Sequence, residues 1–311
     1  MNMPVSLSLL LDGLIDYAGL FPPATLEMSP MVSTYRRVML DERGWMVGRV
    51  IVPVAQLEEF EVAAAKLFPD EEEADPWCIS ALSRPCHDSH IESDFADIAA
   101  FNKRHATHEA GRAIIDVVEM NGGAAKDIDT ALDVMPDDLF PFVEIPIDQD
   151  VRGILAVLAG SEAAAKIRTG GVQPELYPGV GAVSAFISSA AAAGVPFKAT
   201  AGMHHPLPTD HPSLPVRQLG FLNVFLASAA AMAHELDAAE IETMLDIDDV
   251  SAFRWTDDAA TLGDVTVSAD DIEEARLSFA ISYGSCSVDE PWEELESLGL
   301  LAPDTKSTSC H

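Results

Sequence analysis

Two of the chain's six lysines stand in apolar, strand-like runs: Lys166 in AAKIRTGG (164–171) and Lys198 in VPFKATAG (195–202). A lysine in such a run suits one chemistry in particular. A neutral amine attacks a carbonyl carbon and forms a Schiff base, an electron sink for making or breaking a C–C bond. A free lysine is almost wholly protonated at neutral pH, and burial or a second nearby cation lowers its pKa. If the two runs are consecutive strands of one sheet, one ammonium can depress the other. The alternative is a pair of salt bridges to strand-end carboxylates, and spacing alone does not separate the two.

Other residue types offer other chemistry. Glu119 and Glu144 end neighbouring strand candidates and could act as a paired acid and base, or could simply hold Arg168 or Lys166. His204, His205 and His211, with Glu119 or Glu144, could ligate a divalent metal for enolate chemistry. Adjacent histidines on a regular strand point to opposite faces, however. The expectation is therefore no metal, with one histidine on substrate and the other under the proline-rich loop. Cys86, His87 and His90 in CHDSH have no second ligand pair, so a zinc site is not expected there. Cys286 falls at a strand-to-helix turn, where a helix N-terminus lowers a thiol pKa. It has no obvious base and reads as a small packing residue.

These residues need a frame. Eight apolar, β-branched runs recur at 13–20, 47–54, 77–83, 112–120, 140–147, 164–171, 196–202 and 277–287, nearly all separated by helix-length amphipathic segments. Such alternation implies a parallel sheet with helical crossovers. Eight units fit a closed (β/α)8 TIM barrel better than an open doubly wound sheet, and no G-x-G-x-x-G follows the first strand. One domain over 1–302 is expected, with 303–311 as a disordered tail. Residues 204–276 form an elaborated connection between the seventh and eighth strands, expected to pack over the barrel top. It holds a proline-rich loop, an apolar helix, a strand pair (AFRWTD and DVTVS) and a last helix with Ser268 as N-cap. In this fold the chemistry sits at the C-terminal strand ends. The candidates there are Asp16, Arg84, Asp116, Glu119, Glu144, Lys166, Arg168, Lys198, His204, His205 and the GSCS turn.

Composition narrows the class further. The 51 acidic residues against 18 basic ones give a net charge of −33, which argues against nucleic acid and anionic membrane as partners. Spread acidity, scarce lysine and a 48% hydrophobic content suggest a salt-adapted cytoplasmic protein. Four cysteines in 311 residues do not make a disulfide framework. The N-terminus has no basic region of a secretory signal. The apolar run 219–233 is short for a membrane span and reads as a buried helix.

Five short motifs in order resemble the deoxyribose-phosphate aldolase family of class I aldolases. They are LIDYAGLFPPAT with Asp16, IIDVVEMN with Asp116, KIRTGG, FKATAG and YGSCS. The resemblance covers nearly the whole chain apart from the insertion. It implies that Lys166 is the Schiff-base nucleophile, that Lys198 tunes it, that Asp116 moves protons and that Asp16 supports the lysine pair. It also implies that Thr169, Gly170, Gly202, Gly284 and Ser285 line the far end of the substrate, where the family holds phosphate. Gly171, Thr200, His204 and Glu144 complete the expected contacts. Arg168, Ala201 and the two histidines depart from the family's pattern, and Arg168 could hold a carboxylate in a bidentate way. A phosphosugar and a carboxylated or unphosphorylated carbonyl compound are all compatible with this set.

The function expected from the sequence is thus an aldolase-type lyase acting on a small molecule without a cofactor, with self-association left open. The alternatives are a metal-dependent barrel lyase or isomerase using His204 or His205 and Glu144, and a non-catalytic barrel that binds a metabolite.

Overall fold

A computed structural model describes residues 3–71 and 75–302. The expected tail at 303–311 lies outside these described residues. After a short helix α1 (Val5–Leu11), six strand–helix units and a seventh strand follow. The strands are β1 (Ile15–Tyr17), β2 (Val47–Pro53), β3 (Trp77–Leu82), β4 (Ala113–Asn121), β5 (Phe140–Glu144), β6 (Ala164–Arg168) and β7 (Phe197–Thr200). The helices after β1 to β6 are α2 (Met28–Met39), α3 (Leu57–Ala64), α4 (Ile91–Arg104), α5 (Ala125–Asp133), α6 (Arg152–Gly160) and α7 (Val180–Ala193). Their periodicity is helical: α2 buries Met28, Met31, Val32, Tyr35 and Val38, a single stripe at 3.6-residue spacing.

Beyond β7 comes the long connection. It holds a two-residue hairpin, β8 (Thr209–Asp210) and β9 (Arg217–Gln218), then α8 (Phe221–His234) and α9 (Ala238–Leu245). A small antiparallel sheet follows, of β10 (Phe253–Trp255), β11 (Ala259–Leu262) and β12 (Val265–Ser268). Helix α10 (Ala269–Ser278), strand β13 (Ala280–Ser285) and helix α11 (Asp289–Ser297) complete the described chain. Eight parallel strands close into one barrel in the order β1-β13-β7-β6-β5-β4-β3-β2. The fold is the (β/α)8 barrel.

The insertion differs from the expected strand pair by having three strands. Its three-stranded sheet and α10 do not roof the barrel, while its first loop reaches the cavity rim at His204. Its sheet and α10 pack against α1 and α8, and the backbone N–H of Ser6 donates to the Thr256 carbonyl. Helix α8 is therefore covered on every side, which is why its sequence is apolar all round. Phe221 stacks on Tyr283 of β13 at 5.5 Å, and the buried Asn223 amide donates to the carbonyls of Met244 and Ile247, binding α9 to α8. Ser268 caps α10 as expected, its hydroxyl accepting from the N–H of Asp271. The stretch 174–193 matches a membrane span by length and composition alone. Its helical part, α7, packs on α6, α8 and α9.

Two apolar regions are separate. The large core lies between the barrel and its helices. A small cluster of Val117, Phe142 and Ala164, with Ile281 against it, fills the barrel's interior. Above this plug the interior turns polar.

Candidate active site

Register brings the two lysines together. Lys166 of β6 pairs with Lys198 of β7, Glu144 of β5 pairs with Lys166, and Arg168 pairs with Thr200. Glu119 of β4 reaches both amines. Its Oε2 lies 2.8 Å from Lys166 Nζ and its Oε1 2.6 Å from Lys198 Nζ. Ser80 donates to the same Oε1 at 2.7 Å. Lys198 also donates to Asp16 Oδ2 at 2.5 Å, and Ser282 donates to that oxygen at 2.6 Å. On the other side Lys166 Nζ lies 3.0 Å from Glu144 Oε2, and Arg168 holds Glu144 Oε1 at 3.0 Å. Three carboxylates and three cations thus alternate in one row: Asp16, Lys198, Glu119, Lys166, Glu144, Arg168.

Burial and charge set the proton states. Burial by itself pushes the Glu119 carboxyl up, but the Lys166 and Lys198 ammoniums outweigh it and hold it well below the usual carboxylate range. Burial pushes Lys198 down, and the carboxylates of Asp16 and Glu119 more than reverse this, so Lys198 stays charged. Its ammonium also sits 5.3 Å above the Phe142 ring, on top of the apolar plug. Lys198 is completely buried, whereas Lys166 opens into a cavity of about 220 Å³.

That cavity has two unlike walls. Strands β4 to β7 give Glu119, Asn121, Glu144, Lys166, Arg168 and Thr200. The opposite wall, from β1 to β3 and the loop after β1, is Ala18, Phe21, Pro22, Ile51 and Leu82. Gly171, Val172 and Leu176 from the β6 loop close one side, and Ala201, His204, Gly284 and Cys286 complete the rim. Among the described residues His204 is the insertion's sole contribution.

The expected residues therefore divide. Lys166, Arg168, Gly171, Thr200, His204, Glu144 and Gly284 line the cavity, and Lys198 and Asp16 lie directly behind it. Asp116 does not join them. It sits at an irregularity in the β3–β4 pairing, where Ile79 pairs with Ile115 and Ser80 with Val117. Its carboxylate is bound by Arg49 Nε at 2.9 Å and Nη2 at 2.6 Å, towards the N-terminal end of the barrel. Glu119, three residues on, occupies the place expected for Asp116. Alternation along β4 from Asn121 through Glu119 to Val117 is the sequence signal that could have placed it on the inner face.

Four more expected contacts have structural duties. The Thr169 hydroxyl donates to the carbonyls of Thr200 and Ala201, fastening the β6 and β7 ends. Gly170 and Gly202 lie face to face. A methyl on Gly170 would stand 2.5 Å from the Gly202 Cα, and one on Gly202, which has φ +78°, would stand 2.6 Å from the Thr169 carbonyl oxygen. The two glycine loops close on each other. Ser285 donates to the Ser287 carbonyl.

The histidines pair away from the carboxylates of the row. His204 Nδ1 lies 2.9 Å from Glu290 Oε2, and His205 Nδ1 lies 2.6 Å from Glu294 Oε1, both on α11. His211 accepts from the N–H groups of Ser213 and Leu214. Among the described residues no three His, Cys, Asp or Glu side chains converge as metal ligands do. Burial pushes the Cys286 thiol up, the reverse of the lowering expected at a helix start. Arg84 pairs with Asp94, away from the cavity.

Fold and site together define a (β/α)8 barrel with a lysine–carboxylate centre at the C-terminal strand ends. No protein-family model matches the chain, and no curated protein matches it.

Proposed function

We propose that the chain is a class I, aldolase-type carbon–carbon lyase that holds a small carbonyl compound as a Schiff base on Lys166. The observation that carries this reading is the Lys166 amine at the cavity floor. It lies between Glu119 and Glu144 and beside a second, wholly buried lysine in register. The ordered motifs that resemble the deoxyribose-phosphate aldolase family support it.

The residues then have distinct tasks. The Lys166 ammonium passes a proton to Glu144, and the free amine adds to the carbonyl carbon. Glu144 returns its proton to the carbonyl oxygen, which takes a second from the nitrogen and leaves as water; a cationic iminium remains and Glu144 is again ionised. Glu144 takes the proton from a hydroxyl on the β carbon as the Cα–Cβ bond breaks. The bond's electron pair moves into the iminium, giving an enamine and a released aldehyde. Protonation at Cα and addition of water to the imine carbon free the second product and restore Lys166. Glu119, held ionised, stabilises the iminium charge. Lys198 and Asp16 fix Glu119 in place. Asp116 takes no part.

The metal-dependent alternative has less support, because His204 and His205 are paired to α11 and Glu144 to Lys166 and Arg168. The test is reductive trapping. The full-length protein is incubated with neutral, carboxylated and phosphorylated carbonyl compounds, reduced with borohydride and mapped by peptide mass. An adduct on Lys166 that vanishes in Lys166→Met is expected. If no compound modifies Lys166 in the folded protein, the Schiff-base reading is wrong.

A further inference from the structure

We infer that the carbonyl compound bound at Lys166 is uncharged and carries a short apolar arm, an inference that rests on the Schiff-base reading above. The cavity gives an arm apolar surface to lie on. Away from Lys166 and Arg168 the lining includes Phe21, Pro22, Ile51 and Leu82, none of which offers a side-chain hydrogen bond. At about 220 Å³ the space is smaller than the roughly 300–1,000 Å³ sites of drug-sized ligands. A compound of a few carbons fills it.

An anion finds no unpaired cation there. The cations Lys166, Lys198 and Arg168 are each already matched by Asp16, Glu119 or Glu144. A phosphate or carboxylate would add an uncompensated negative charge, and burying one is costly. His204, on the rim, is held below its ordinary pKa by burial and adds no charge at neutral pH. It is also taken by Glu290.

Backbone donors are no better placed. Gly170 and Gly202, where an anion cradle would form, contact each other. Helix α11, which follows β13, opens with Asp289 and Glu290, and the Glu290 N–H donates to the Ser287 hydroxyl. Acidic groups at a helix start repel an incoming anion. Neutral polar groups near the amine, Asn121 and Thr200, suit a hydroxyl close to the carbonyl.

The experiment compares carbonyl compounds within the intact protein. Ethanal, propanal, butanal, glyoxylate and glyceraldehyde 3-phosphate are each trapped with borohydride in high salt. The Lys166 adduct is divided by that on the exposed Lys66, Lys103 and Lys126, which cancels intrinsic reactivity. The ratio is expected to rise up to about fourfold per methylene from ethanal to butanal. It is expected to be lower for glyoxylate and the phosphorylated aldehyde than for ethanal. A second arm uses Leu82→Arg, which puts a cation on the apolar wall. It is expected to raise the glyoxylate ratio and lower that of butanal. A highest ratio with either anion, or no dependence on chain length, overturns the substrate class and leaves the Schiff base standing. No Lys166 adduct with any compound overturns both.

Discussion

Replacing Glu119 by glutamine removes one charge from a balanced row of three carboxylates and three cations. The carboxylate faces two ammonium groups at 2.6 and 2.8 Å. With an effective dielectric of about 20, each contact is worth roughly 6 kcal/mol of gross attraction. Most of that offsets the cost of removing three ions from water, which is several kcal/mol apiece. What the variant loses is the compensation, since two buried ammoniums remain with one fewer partner. Deleting one member of a buried ion pair costs about 3–5 kcal/mol, a fifth or more of a typical stability of about 5–15 kcal/mol. Urea denaturation of parent and Glu119→Gln, followed by circular dichroism, measures this directly. Asp116→Asn is the control. Its pair with Arg49 is about one-third exposed, and its loss is expected to cost about 1 kcal/mol. The acid limb gives an independent reading. Glu119's folded pKa is depressed, so its stabilisation is present above the ordinary carboxylate pKa and is lost as pH falls through the lower folded value. Glu119→Gln should therefore lack part of the loss seen below about pH 4. A cost under about 1 kcal/mol for Glu119→Gln would refute the claim that both lysines are charged partners of one buried carboxylate.

Two further outcomes follow from the geometry. Gly202→Ala puts a methyl 2.6 Å from the Thr169 carbonyl at a backbone angle that L residues rarely adopt. It should destabilise by more than about 2 kcal/mol, while Gly153→Ala, whose methyl meets nothing within 4 Å, should be close to neutral or stabilising; thermal melts of the two decide it. His204 is held below its ordinary pKa in the folded protein, so the unfolded chain binds more protons and stability should fall as pH drops below about 6.5. The urea midpoint measured from pH 7.5 to 5.5 should decline less steeply in His204→Asn, and equal slopes would remove His204 from the account.

The barrel was legible because each parallel strand is buried on both faces and so reads as a continuous apolar run between amphipathic helices. The placing of Lys166 and Lys198 on neighbouring strands was legible too. Each stands in an apolar run, and the two runs are consecutive strand candidates; that the lysines are direct register partners comes from the structure. Asp116 was misplaced because a local pairing irregularity shifts the face on which it falls, and a motif read letter by letter carries no such offset. The convergence of Glu119 on both lysines depends on how strands tilt around a closed barrel, which sequence spacing within one strand does not encode. The glycine pair looked like a ligand cradle since only backbone coordinates reveal that the loops fill each other. In the insertion, the AATL segment between the two expected strands was the missed one, being too short to show alternation.

The apolar plug under Lys198 makes the barrel a vessel with a single opening. Val117, Phe142, Ala164 and Ile281 stop it from below, and Lys198, Glu119 and Asp16 are sealed from solvent on that side. On the Schiff-base reading proposed above, substrate, departing aldehyde and hydrolytic water share one doorway, above Lys166. Traffic through it is sequential: an occupant filling about 220 Å³ shuts out the water that would release it, and the exit of the first product is what readmits that water. The order of events is thereby written into the floor of the barrel as much as into its reactive groups.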